Sequence, residues 1–410
     1  MYKIKGVIRF MEYVVTNATL ITMGKGAFKK QGSVYVKDGV FMDVGEINPK
    51  DYPRATVIDA KGRYVTPGFV EAHCHIGIGE AYIGQTGADY NEITDPITPE
   101  LRAYDAIKPL DPHFDAALRY GVTTVAPGPG SANLIGGTFM VMKTNCDDPY
   151  EKRVVKKEVA MKMALGENPK RCYQGKGPQT RMANAARLRE ALTKAKIYKD
   201  AWDKYNGALK KGEKCNKPEY NAKWESLKRV FEGLPVKIHA HQHDDILTAM
   251  RIMQEFGLDS TIEHCTEGWM IVDELKTCKQ KVCCGPIFID QMKWEVRNVN
   301  RKSPKIFFEN DIDFCIITDA PVVPMDGGMT YQLALAVKDG LPERKAFECV
   351  TTTPAKFLGV FDRVGSIEKG KDADLVIWSG HPFDSLTFAD VVMVNGSIKV
   401  DRYKENEEKE

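Results

Sequence analysis

The chain has 410 residues, 43% hydrophobic and 28% charged, and its 58 basic side chains against 56 acidic ones leave a formal charge of +2. That length predicts one large domain with a smaller companion, and the even charge balance excludes a global pull toward nucleic acid or a membrane surface. No apolar run approaches the roughly 20 residues that span a bilayer, and Met1–Met11 lacks the roughly 7–15-residue apolar core of an export signal. Ten cysteines are scattered without paired Cys-x-x-Cys units, so they are expected to be reduced, packed and cytoplasmic.

In chain order, Tyr13–Met23, Gly32–Val36, Val40–Val44 and Arg54–Ile58 are β-rich runs separated by Lys-Asp-Gly and Asp-Ala-Lys-Gly turns. The far end answers them with a strand at Leu375–Trp378 and a hairpin of Val391–Val394 and Ser397–Val400 turning at Asn395-Gly396. Isolated hairpins of this size are marginal in water. Residues 1–66 and 359–410 are therefore expected to combine into a small β-sandwich domain flanking residues 67–358.

Within the middle stretch, strand-like runs at Phe69–His75, Gly121–Ala126, Val159–Leu165, Val236–His241, Ser260–Cys265, Lys281–Gly285 and Phe314–Asp319 alternate with helical ones such as Asp245–Phe256 and Glu267–Thr277. Thr138–Thr144 is a candidate eighth strand. Polar residues gather at the ends of several different strands, where a (β/α)8 TIM-type barrel carries its chemistry, so the prediction is a closed parallel barrel. Residues 181–231 break the rhythm with a long basic helical pattern, either a solvated excursion or a lid or subunit contact over the mouth.

The strongest chemical signal is Thr66-Pro67-Gly68-Phe69-Val70-Glu71-Ala72-His73-Cys74-His75. Period-two alternation turns His73 and His75 to the same side, where two imidazoles can share a cation. The chain has eight histidines, and His239, His241, His243 and His264 also fall at strand ends, leaving only His113 and His381 outside the pattern. Asp319 closes the apolar run Phe314-Cys315-Ile316-Ile317-Thr318. A carboxylate there is costly to bury without a compensating charge, and a metal supplies one.

These residues together resemble the amidohydrolase superfamily, in particular its imidazolonepropionase-like and prolidase-like hydrolases. The likeness runs from the N-terminal β segment to Val364-Gly365-Ser366-Ile367-Glu368-Lys369-Gly370-Lys371-Asp372-Ala373-Asp374-Leu375. It implies His73, His75, His239 and His264 as metal ligands, and Asp319 as ligand and general base. His241 falls where relatives place a polar residue near the substrate, able to stabilise an oxyanion. The bridging position is open: Glu167 stands at a strand end, a carboxylated Lys162 lies deeper, and Glu167 also reads as a simple cap before Pro169. Arg181 and His243 are candidate substrate contacts.

The expected activity is cleavage of a C–N bond by metal-activated water, in a cyclic amide, a dipeptide or an N-acyl amino acid. The cofactor would be a divalent metal, zinc, as one or two ions. The expected partners are a small-molecule substrate and further copies of the chain in a homo-oligomer, with no nucleic acid or membrane. Two other readings compete. Deaminases of cyclic amidines carry a glutamate three residues after the fifth-strand histidine, where this chain has Gln242, and a non-catalytic scaffold would have lost ligand positions that are intact here.

Overall fold

The computed structural model describes residues 11–407 apart from 27, 82, 83, 174 and 176. The reading of Met1–Met11 therefore falls almost wholly outside the described residues. Both chain ends contribute to one eight-stranded sheet. From the N-terminal side come β1 (Glu12–Leu20), β2 (Lys30–Lys37), β3 (Val40–Gly45), β4 (Thr56–Asp59) and β5 (Tyr64–Pro67). The central barrel sheet follows: β6 (Phe69–Cys74), β7 (Val122–Pro127), β8 (Ile135–Lys143), β9 (Val154–Ala164), β10 (Val236–Ala240), β11 (Ser260–His264), β12 (Lys281–Cys284) and β13 (Phe314–Ile316). Finally β14 (Leu375–Trp378), β15 (Ala389–Val394) and β16 (Ser397–Asp401) return to the first sheet, in the order β16-β15-β14-β5-β1-β2-β3 with β4 also on β1.

The two ends meet where β14 pairs antiparallel with β5, Val376 opposite Thr66. Alternation along β14 then divides its side chains between two cores. Leu375 and Ile377 pack with Leu20, Val36, Phe41 and Val65 in the terminal sheet, whereas Val376 and Trp378 join the barrel core. Trp378 stacks obliquely on Phe69, 5.4 Å between centroids, and its indole N–H donates to Thr66 Oγ1. Gly121, at φ +79°, is required beneath it, since a Cβ there would stand 2.6 Å from the indole.

The barrel strands run in the order β6 to β13, and β6–β7 and every neighbouring pair from β9 to β13 are parallel. One strand corrects the expected all-parallel barrel: β8, the candidate eighth strand, runs antiparallel to both β7 and β9. The stretch between Pro127 and Ile135 is too short for a parallel crossover, which needs a dozen or more residues, so the chain folds straight back. Between β13 and β6 the structure has no strand ladder. Glu71 spans that seam, accepting the N–H of His73 at one oxygen and both the N–H and hydroxyl of Thr318 at the other.

The basic segment forms a 30-residue helix, Arg181–Lys210, which buries Leu188, Leu192 and Ala195 in the barrel core and packs on the helix His243–Phe256. Its start reaches the strand ends, where Arg181 donates to Gln242 and Asn184 to the Gly166 carbonyl. All ten cysteines are free, and among the described residues no helix is long and apolar enough to cross a membrane.

Candidate functional site

Alternation aims the last residues of the strands at the barrel axis, and two groups of three side chains converge there. In one, ligand-capable atoms of His73, His75 and Asp319 lie within 4.8 Å of one another; in the other, those of His239, His241 and His264 do. The groups adjoin, with the His73 and His264 rings 5.1 Å apart. His264 and Asp319 are both at positive φ, +69° and +55°. For a residue with a Cβ this costs about 1–3 kcal/mol, and such strain collects at functional sites. At His264 it breaks the period of two, so that Glu263 and His264, adjacent in sequence, both face inward.

The hydrogen bonds fix which ring nitrogens carry protons. His73 Nδ1 is 2.5 Å from Glu263 Oε2, His75 Nδ1 is 2.7 Å from the Gly128 carbonyl, and His264 Nδ1 is 2.9 Å from the Gly285 carbonyl. These partners only accept, so each Nδ1 donates and each neutral ring keeps a lone pair at Nε2. Burial pushes His73, His239 and His241 well below the usual histidine range, helped next by Lys162 at His73, by the neighbouring His264 and His241 at His239 and by Lys293 at His241; His264 falls to about 4, mainly through burial. The Nε2 atoms of His75 and His73 are 3.2 and 3.4 Å from Asp319 Oδ1. That oxygen has no hydrogen-bond partner, and neither does either nitrogen of His239. Burial opposes ionisation of Asp319, but His264, His75 and Lys162 outweigh it and hold the carboxyl below its ordinary value. The Asp319 carboxylate and the Nε2 atoms of His73 and His75 thus converge in one buried space, with Lys162 beside them. Such an arrangement fits a cation.

Lys162 completes the centre. Its Nζ lies 3.4 Å from His73 Nε2, and burial, partly offset by Glu263 and Asp319, brings the amine down to about 8. Glu167, expected as the bridging ligand, is not among the converging groups. It stands an odd number of residues beyond Lys162, and Gly166 at φ +90° turns the chain away, so Glu167 opens the helix Glu167–Cys172 instead.

Two further expected substrate contacts lie outside the converging groups. Arg181 donates to Asp245 and Gln242 and lies 3.7 Å from Glu295, so its guanidinium is committed to protein acceptors. His243 opens a helix, half exposed, with Nδ1 held by Glu267. His241, expected beside the substrate, belongs to the second group of three and is steadied by the Thr266 hydroxyl at 2.7 Å. Sequence reasoning missed Glu71, Glu263 and Lys237, which carry no ligand spacing. It also missed Tyr90, stacked on His75 at 5.4 Å, and Lys293, a cation close enough to lower His241 and His239 further once burial has acted. A cavity of about 810 Å3 lined by Phe288, Val322, Tyr331 and Phe383 contains none of the converging histidines. The converging donor atoms, not that hollow, locate the chemistry.

Comparison with known proteins gives a consistent result. Residues 64–401 match the amidohydrolase family. The crystal structure of an amidohydrolase from Thermotoga maritima MSB8 is 38% identical and covers 94% of this chain and 99% of its own, with a TM-score of 0.88. An imidazolonepropionase of Mesorhizobium japonicum is 23% identical over 88% of this chain and 90% of its own length. The amidohydrolase tasK of Hapsidospora irregularis is 29% identical over 90% of this chain, which spans only 40% of that protein.

Proposed function

Because this chain belongs to the amidohydrolase family, we propose that it hydrolyses a C–N bond of a small molecule at a divalent-metal centre. The substrate class is an amide, either cyclic or within a dipeptide or N-acyl amino acid. His73, His75 and Asp319 would hold one ion and His239, His241 and His264 a second. Zinc suits a set of imidazoles with one carboxylate. A metal bound there would acidify water and polarise a carbonyl. The observation that carries the reading is the convergence of two groups of three ligand-capable side chains, with Asp319 Oδ1 3.2 and 3.4 Å from the Nε2 atoms of His75 and His73 and without a hydrogen-bond partner.

Lys162 is the bridging candidate. Its amine, kept partly neutral by burial, would add to carbon dioxide, forming an N–C bond and releasing one N–H proton, and so present a carboxylate between the two groups. Asp319 accepts a proton from the attacking water and returns it to the leaving nitrogen. Glu71 holds the two strand ends so that Asp319 stays against His73 and His75. Gln242, already bound by Arg181, is an amide without the acid–base capacity that deamination requires, which favours hydrolysis. The test is a screen of dipeptides, N-acyl amino acids and cyclic ureides with zinc-loaded and chelator-treated protein. Zinc-dependent release of an amine or a ring-opened acid supports the reading; ammonia from an amidine substrate would replace it with deamination.

A further inference from the structure

Beneath the converging histidines lies a second layer of charge. Lys237 and Glu263 point into the barrel from β10 and β11, 3% and 0% exposed, with Nζ 3.0 Å from Oε2. The same Oε2 is 2.5 Å from His73 Nδ1, and Thr261 Oγ1 donates to the other carboxylate oxygen. Lys237, His73 and Thr261 thus hold the Glu263 carboxyl from three sides. Nothing comparable backs the other rings: His75 and His264 lean on backbone carbonyls, His241 on a hydroxyl, and His239 on nothing. His73 also occupies the junction of the two groups, near both His75 and His264 and in contact with Lys162.

A buried ion pair is a poor device for stability, because well-packed neutral groups of similar volume serve as well or better. This one stands directly behind the His73 ring. We infer that the Lys237–Glu263 pair is a positioning unit for His73. Glu263 fixes the ring's plane and tautomer and strengthens Nε2 as a donor toward the centre, while Lys237, 3.0 Å from the same carboxylate oxygen, holds Glu263 in place behind the ring. A carboxylate behind a ligating histidine acts in this way, and its loss typically lowers metal affinity about 10–100-fold. The inference rests on the metal reading above.

The experiment uses cobalt(II) as the probe, added to chelator-treated protein, with affinity from competition against a chromophoric chelator and the visible d–d spectrum as a signature of ligand geometry. Glu263→Gln should bind cobalt about 10–100-fold more weakly, with an altered spectrum, and should melt lower without metal because Lys237 is left unpaired. The double variant Lys237→Met/Glu263→Gln removes both charges. It should recover most of the metal-free melting temperature while its cobalt affinity and spectrum stay impaired. Recovery of stability without recovery of affinity separates positioning from packing. Wild-type affinity and spectrum in the double variant overturn the proposal and leave the metal site standing. A wild-type protein that takes up no cobalt overturns the metal reading and this proposal with it. Should Glu263→Gln not fold, the double variant alone decides.

Discussion

Where the barrel meets the terminal sheet, buried charge is complete. Lys143 Nζ lies 3.0 Å from Asp372 and 2.5 Å from Asp374, whose other oxygen accepts the Asn395 N–H. At the barrel mouth a comparable depth of burial ends differently: Asp319 Oδ1 and both nitrogens of His239 have no hydrogen-bond partner. The junction satisfies itself with protein groups and so contributes only structure. The mouth leaves Asp319 Oδ1 and His239 facing the converging groups, where a metal would bind on the reading proposed above. Burial of a charged side chain is therefore ambiguous, and the polarity of its nearest neighbours decides between a structural and a chemical role.

The largest expected effect at the mouth is loss of metal and of activity to background in His73→Ala or His264→Ala, with the fold retained. Metal analysis and circular dichroism on the same preparation check it. Asp319→Asn should keep much of the metal, since the other ligands remain, yet lose turnover by about a hundredfold or more, as removal of a general base does. Near-normal turnover in a folded, metal-loaded Asp319→Asn protein would assign Asp319 to the structural kind. Lys143→Met should do the reverse. Breaking a buried pair from one side costs about 3–5 kcal/mol, read as a lower unfolding midpoint in denaturant, while turnover of the folded fraction stays normal.

A smaller effect distinguishes the two regions by pH. His264 titrates near 4 in the folded protein and near 6.5 when unfolded. Unfolding therefore takes up a proton between those values, so the metal-free protein should lose stability as pH falls from 6.5 toward 4. The slope is about 1.4 kcal/mol per pH unit for each such histidine. Melting curves in chelator at several pH values measure it, and His264→Ala should lower the slope by one histidine's share, leaving that of His73, His239 and His241.

Much of the site was legible because strand periodicity and strand ends are written in sequence. His73, His75, His239, His264 and Asp319 all close apolar runs, and all five converge. Glu167 lies apart from the converging groups because Gly166, at positive φ, diverts the chain after the strand. Glu263 was hidden for a related reason: alternation puts it opposite His264, and only the left-handed backbone at His264 brings both inward. The antiparallel course of β8 depended on a connection length that composition does not reveal, and Lys293 lies on a loop with no period to read. The pairing of the chain ends was foreseeable, since neither set of terminal strands buries a face alone.

The central claim is that the mouth is completed by metal, and the most direct measurement is metal stoichiometry. Chelator-treated protein titrated with zinc should take up two equivalents per chain and melt at a higher temperature, with Lys143→Met showing the same uptake from a lower starting point. A folded wild-type protein that binds no zinc and melts unchanged would contradict the account.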